Sequence, residues 1–436
     1  MMFPGNMGMN LDERTPMKGK RTYPRLIISK KGALWVKAGH PWIYEGEILG
    51  QEGPVQNGDL VDAMTEKGTY LGTGLLSQKS KIRIRLLSQN ANDRFDEAFW
   101  KRRFSYAWAY RKQLMKKEDL QAVRIIFGES DGMPGLTVDR FNDLLAVQCL
   151  SFGMEKRKAL LYPLLAEVLR EEGEQIRGIY ERNDDSLREK EGLDQGKGWF
   201  TLSPDQAPHA APFFFDPPAS PITEIMENGI RYQVDVAEGQ KTGFFLDQKE
   251  NRRRIQDLCQ GRRVLDCFTH TGSFALNALR GGALEVCALD VSARAITMAR
   301  KNAELNGVQE QIQWIVADAF DFLEEKLAKK DHPWDFIILD PPAFTKSRST
   351  IRQAAKGYQR INALAMRILP RGGYLATCSC SHFMSQELFL KEVNQAAHEA
   401  GVRLKQIEFR QQAPDHPILI DVPETAYLKF FIFQVI

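Results

Sequence analysis

The chain lacks most of the features that would tie it to a membrane, a zinc site or an oxidising compartment. Across 436 residues no apolar run approaches the roughly 20 residues a membrane-spanning helix needs. The stretch Met1 to Arg21 holds methionines, glycines and charges but no apolar block of signal-peptide type. A flexible tail over residues 1–22 and a cytoplasmic location are therefore expected. The six cysteines, Cys149, Cys259, Cys267, Cys287, Cys378 and Cys380, are scattered, with no two CxxC pairs. That argues against a structural zinc site and fits reduced, buried thiols. Cys378-Ser-Cys380-Ser-His382 has no matching second half, so no metal is expected there either. No internal repeat is present. The net charge is only +3, too small to announce or exclude a nucleic-acid partner.

What the chain does have is length enough for two or three domains and 43% hydrophobic residues to fill their cores. Tyr23 to Asn92 carries short apolar strands at Arg25–Ser29, Asp59–Ala63, Thr69–Leu76 and Ile82–Leu87, separated by glycines. This predicts a small β-barrel over residues 23–94. Lys81, Arg83 and Arg85 alternate, which puts three cations on one strand face. That face suits an RNA backbone or a solvated edge guarded against aggregation. Further basic clusters lie at Lys101–Arg103 and Arg252–Arg254.

Residues 95–205 read as a small α+β module. It begins with a helix from Asp93 to Gln113 whose Phe95, Phe99, Trp100, Phe104 and Trp108 form a core-facing stripe. A hairpin is expected around Asn142-Asp143. A proline- and alanine-rich joint, 204–221, follows.

From Arg263 onward strands and helices alternate, which predicts a doubly wound, mainly parallel α/β sheet over residues 206–436. Ligands then sit at the carboxyl ends of its strands. Those ends carry Asp266, Asp290, Asp318 and Asp340. A single strand-tip acid often just caps a helix. Four in successive strands resemble the S-adenosylmethionine methyltransferase fold. Between Asp266 and the next helix, Phe268-Thr269-His270-Thr271-Gly272 makes a tight loop with one glycine, a poor dinucleotide fingerprint. Gly272 is expected to let a cofactor approach the backbone, and Asp318-Ala319 to meet an adenine edge. Upstream, Gly243-Phe244-Phe245-Leu246-Asp247-Gln248 has the composition of a lid, with Asp247 a candidate helix cap.

Two segments carry the chemistry. Asp340-Pro341-Pro342-Ala343-Phe344 can hold the amino edge of a base and stack on its ring, as in base N-methylation. Cys378-Ser379-Cys380-Ser381 follows the fifth strand. A thiolate there could add to C6 of a pyrimidine and load electron density onto C5. Cys380 is the prime nucleophile candidate and Cys378 the second. Both could instead be small buried fillers.

Several motifs in order then identify a family resemblance: Gly39-His40-Pro41-Trp42, Glu129-Ser-Asp-Gly-Met-Pro-Gly135, Lys241-Thr-Gly-Phe-Phe-Leu-Asp-Gln248, Asp340-Pro-Pro-Ala-Phe344, Cys378-Ser-Cys-Ser381 and Phe409-Arg-Gln-Gln-Ala-Pro-Asp-His-Pro417. From about Tyr23 onward the chain resembles the bacterial 23S ribosomal RNA large-subunit methyltransferase I family, which makes 5-methylcytosine. The resemblance implies a Rossmann-like class I methyltransferase domain preceded by a PUA-type RNA-binding domain and a small α+β module. It implies Cys380 as nucleophile and Asp340 on the base edge, with Pro341, Pro342 and Phe344 beside the base. Asp266, Phe268, Thr271, Gly272, Asp290, Asp318, Ala319, Phe245 and Gln248 would surround S-adenosylmethionine. The implied partner is 23S ribosomal RNA or a large-subunit assembly particle, with no membrane. A homodimer is compatible. The better-known RNA cytosine-C5 enzymes carry a second thiol directly after the motif-four proline. Here Pro341-Pro342-Ala343 has none, so proton removal falls to Cys378, Asp340 or a water. Alternatives are guanine N-methylation and a non-catalytic RNA-binding assembly factor.

Overall fold

The computed structural model describes residues 21–203, 211–331, 333–345 and 347–436. The expected tail lies almost wholly outside them, as does 204–210 of the joint.

The N-terminal strands form one six-stranded sheet, in the order Trp42–Tyr44, Ile82–Ser88, Tyr70–Leu76, Leu60–Thr65, Arg25–Ile28, Ile48–Glu52. Its two edge strands are joined by the single turn Glu45–Glu47. The sheet must therefore curl until its edges approach, which gives the barrel shape the sequence predicts. Leu26, Ile28, Val36, Ile43, Val61, Leu71 and Ile84 fill it. The strand Trp42–Tyr44 and the helix Lys30–Lys37 are additions to the sequence reading.

The central sheet has the order Gly196–Trp199, Gly178–Asn183, Leu144–Cys149, Leu136–Phe141, Ala122–Phe127. Its hairpin turns at Asn142, which adopts φ 54°. The aromatic helix runs over Glu97–Leu114 with Asp96 capping it. Phe99, Trp100, Phe104 and Trp108 are buried in the core, as the stripe requires.

The C-terminal sheet has seven strands: β1 (Arg263–Cys267), β2 (Glu285–Asp290), β3 (Ile312–Val316), β4 (Phe336–Leu339), β5 (Tyr374–Ser379), β6 (Leu404–Arg410) and β7 (Lys429–Val435). Their order is β3-β2-β1-β4-β5-β7-β6, all parallel except β7. Six helices accompany it: α1 (Lys249–Leu258), α2 (Ser273–Arg280), α3 (Ala293–Leu305), α4 (Ala319–Lys329), α5 (Ile351–Ile368) and α6 (Gln386–Ala400). Runs such as Phe336-Ile-Ile-Leu339 are apolar throughout because helices cover both faces. On β1, Val264 joins the core that holds Phe274 and Ile296, while Leu265 and Cys267 join the opposite core with Tyr358 and Phe389. The strand order reverses between β1 and β4, which opens a crevice at the carboxyl edge.

A hairpin absent from the sequence reading, Ile222–Glu227 with Ile230–Asp235, precedes this sheet. Asn228 (φ 54°) and Gly229 (φ 75°) make its two-residue turn, the pairing such hairpins favour. It brings Glu227 to Arg252, an ion pair with N–O distances of 2.6 and 2.8 Å and both side chains buried.

The basic clusters turn out to be mostly structural. Arg83 pairs with Glu45, and Arg85 is buried against Glu191 at 2.9 Å, so the expected three-cation face is broken. Lys101 meets Glu167, Arg102 meets Asp93, Arg253 meets Asp119 and Arg254 meets Glu408. Of that first cluster only Lys81 stays exposed. Among the described residues no helix is long and apolar enough to cross a membrane.

Candidate active site

A cavity of about 370 Å³ opens at the carboxyl edge between β1 and β4. The cofactor-facing side is built by main chain. Asp290, at the tip of β2, accepts the N–H groups of His270 (3.0 Å) and Ser292 (2.9 Å). Asp318 caps α4 by accepting Phe320 N–H at 2.8 Å and Asp321 N–H at 3.3 Å. Each carboxylate retains lone-pair capacity, and both line the cavity. Phe268, Val291, Ala317 and Phe320 add apolar wall. Carboxylates for a ribose diol beside apolar surface for a flat adenine fit S-adenosylmethionine. The β1–α2 loop is held in a sparsely populated conformation, with Phe268 at φ 74° and His270 at φ 49°.

Three of the expected cofactor residues lie behind the wall. Asp266 is fully buried, bonded to the Thr269 hydroxyl at 2.6 Å and Ala275 N–H at 3.0 Å. Burial pushes its carboxyl up to about 7, with Asp340 adding to the rise and the Thr269 bond opposing it. Thr271 is buried as well, and its carbonyl accepts Asn302 Nδ2 at 3.0 Å. Gly272 is glycine for a different reason from the one expected. A Cβ there would lie 2.9 Å from the Trp314 ring and 3.1 Å from Ala299 Cβ, at φ 80°. Helix packing, not cofactor approach, requires it.

The base-facing side is built by side chains. Asp340, Pro341, Pro342, Phe344 and Cys380 all line the cavity. Asp340 Oδ1 receives Gln248 Nε2 at 3.2 Å and the Cys378 thiol at 2.7 Å. Burial pushes the Asp340 carboxyl up to about 6, against the Cys378 hydrogen bond. Phe344 lies 4.6 Å from the Tyr358 ring. Ser381 Oγ donates to Thr345 O at 2.9 Å, which stitches the two signature segments together.

The two candidate cysteines separate here. Cys378 is buried within β5 and does not line the cavity; burial and Asp340 hold its thiol far above the usual range. Cys380 is the one cysteine of the six that is partly open. Burial raises its thiol too, but Lys241 opposes that rise. Cys378 and Cys380 therefore differ in access: the first bonds Asp340 and Gln248 from behind the wall, and the second lines the cavity.

Phe245, Gln248 and Ala319 line the cavity. Asp247 does not cap α1. It accepts the Tyr427 hydroxyl at 2.7 Å and lies 3.6 Å from Lys241 Nζ. Burial alone would raise the Asp247 carboxyl, yet Lys241, His416 and the Tyr427 bond hold it well below the usual range. Lys241, Tyr427 and Lys429 have no role in the sequence reading. Lys241 sat inside a motif already singled out, whereas Lys429 follows only from the pairing of β7 with β5.

Comparison with known proteins agrees with this geometry. A family model described as S-adenosylmethionine-dependent methyltransferase matches residues 193–434, and a PUA-like domain model matches residues 26–89. The ribosomal RNA large subunit methyltransferase I of Klebsiella pneumoniae (strain 342) is 36% identical over 414 residues, 95% of this chain and 98% of that protein. Its counterpart in Erwinia tasmaniensis is 38% identical over 412 residues, 94% of this chain and 99% of that protein. Among solved structures, a SAM-dependent methyltransferase from Streptococcus mutans covers 94% of this chain, and the match spans 99% of that chain, with TM-score 0.75 and 20% identity. A methyltransferase complexed with SAH matches with TM-score 0.76 over the same shares of both chains. With the cavity, the strand-tip acids and these matches together, the chain belongs to the S-adenosylmethionine-dependent family of ribosomal RNA large subunit methyltransferase I.

Proposed function

We propose that this protein transfers a methyl group from S-adenosylmethionine to C5 of a cytosine in 23S ribosomal RNA, through a covalent bond between Cys380 and C6. The observation that carries this reading is the placement of Cys380. It is the one cysteine that opens to the cavity, and it shares that cavity with Asp340, Pro341, Pro342 and Phe344.

The roles follow from the side chains. The target base must leave its stack to enter such a cavity. Pro341, Pro342 and Phe344 give it an apolar bed. Asp340, with its raised carboxyl, can donate or accept at the base edge. The Cys380 sulfur adds to C6, which makes C5 nucleophilic toward the methyl group that S-adenosylmethionine supplies when bound. Loss of the C5 proton then expels the sulfur and restores the ring. Cys378 suits the holding of Asp340 better than the taking of that proton, because its thiol already points at Oδ1. Asp340 or a water in the cavity is left as the base. The N-terminal barrel and central module would add phosphate contacts and shape recognition on the RNA or on a large-subunit particle.

Guanine N-methylation is the second reading, favoured by Asp340 and Phe344 lining the same wall. RNA carrying 5-fluorocytosine at the target separates the two. A protein–RNA adduct stable to denaturation is expected on the Cys380 peptide. An active enzyme that forms no adduct would sink the thiol mechanism.

A further inference from the structure

A cavity built for a positively charged sulfonium has reason to exclude other cations, yet two lysines stand at its base-facing end. Lys241 lines the cavity itself. It adopts φ 52°, a left-handed conformation that a non-glycine residue holds at a cost. Its Nζ lies 4.9 Å from the centre of the Phe245 ring and 5.8 Å from that of Tyr427. The other cation in the wall, Arg252, is fully matched by Glu227. Lys241 is matched only loosely, by Asp247 at 3.6 Å, and that carboxylate already receives the Tyr427 hydroxyl.

Lys429 approaches from beneath. It is only 8% exposed, and no carboxylate pairs with it among the described residues. Its Nζ donates to the carbonyls of Ser381 (2.6 Å) and Tyr427 (2.7 Å), the first of these one residue beyond Cys380. Register places Lys429 directly opposite Ser379, one residue before Cys380. A buried ammonium held only by neutral oxygens is poorly compensated. Burial pulls it down to about 8, and the thiols of Cys380 and Cys378 work against that pull.

We propose that Lys241 and Lys429 are positioning residues for Cys380, forming a two-cation cradle that stabilises its thiolate before addition to the base. The S–H proton leaves to bulk water through the cavity mouth, and both ammonium groups keep their charge. The carboxylates Asp340 and Asp247 oppose the cradle, and Tyr358 and a largely neutral His382 also face this end. The inference rests on Cys380 being the nucleophile proposed above.

The test is the pH dependence of iodoacetamide alkylation at Cys380, read by mass spectrometry on the full-length protein. The other five cysteines are buried, so the reading is selective. In Lys241→Met the alkylation curve should shift to higher pH, making the rate at pH 7.5 about tenfold lower, and Lys241→Arg should restore it. Lys429→Met should shift the curve the same way. Curves that coincide with the wild type in both Met variants would overturn the cradle. So would an unchanged curve in Lys241→Met together with a drop of about one in the salt slope of RNA binding, which would make Lys241 a phosphate contact. The 5-fluorocytosine trap on the unaltered protein separates this from the function itself. Shifted curves without an adduct would show that the two cations act on the thiol but would remove the thiol mechanism, and with it their role as positioning residues for addition to the base.

Discussion

The two sides of the cavity are made differently. On the cofactor side, Asp290 and Asp318 are each fixed by two backbone N–H groups, three of them from within three residues and the fourth, His270, from 20 residues away. On the base side, Asp340 is fixed by two side chains, Gln248 and Cys378, which lie 92 and 38 residues away. Main-chain bonds orient these two carboxylates through the loops that carry them. Asp340 is held by remote side chains, burial raises its carboxyl, and its placement depends on the fold being complete. On the proposed function, the first side binds the cofactor and the second carries the reaction.

The largest effect expected from breaking that contrast is at Cys380. Cys380→Ala should lower single-turnover methylation by about 10⁴-fold or more, while calorimetry finds S-adenosylmethionine affinity within about twofold. Next, Asp340→Asn should cost about 10²-fold in turnover at saturating cofactor. Asp290→Asn should behave in the opposite sense. It should weaken S-adenosylmethionine about tenfold, by losing a charge-assisted bond to a hydroxyl, with turnover at saturation nearly intact. If Asp290→Asn damaged turnover as severely as Asp340→Asn, the division into two sides would fail.

The raised carboxyls supply a pH test. Asp340 titrates near 6 and Asp266 near 7, so both are neutral at low pH and gain negative charge as pH rises. That charge attracts the sulfonium of S-adenosylmethionine but not the uncharged sulfur of S-adenosylhomocysteine. Calorimetry from pH 5.5 to 8 should show affinity for the first rising relative to the second. A flat ratio would place the sulfonium away from Asp340. The smallest effect is expected for Cys378→Ser, which keeps a donor on Asp340 and should lower turnover no more than about fivefold.

The same contrast explains what could be read from the residues alone. The strand-tip acids were legible because a short apolar run followed by an acid and a helix start is a local pattern. The aromatic stripe of Glu97–Leu114 was legible for the same reason. The hairpin Ile222–Asp235 carried a local signal, Asn228-Gly229, that the sequence reading passed over. Pairing across distance left no such trace. Arg85 with Glu191, and Arg253 with Asp119, turned apparent RNA-binding clusters into internal clamps. The fate of Cys378 against Cys380 depended on where β5 ends, a matter of one residue. Gly272 was noticed, but its packing against Trp314 comes from a strand some forty residues on.

The central module grips the segment 414–417, upstream of the cavity-lining Leu428. Tyr110 donates to Pro414 O at 3.2 Å, Arg111 to Asp415 O at 2.9 Å and Ser130 to Pro417 O at 2.8 Å, while Arg124 N–H reaches Asp415 Oδ2 at 3.0 Å. That segment leads directly into Tyr427, Leu428 and Lys429. A fragment cut to the boundaries of the methyltransferase family match, residues 193–434, would keep the seven-stranded sheet but for Val435 and lose the contacts that hold segment 414–417. The portable unit of this enzyme is larger than the unit its homology marks out, and a module swapped between relatives must match the segment 414–417 that it grips.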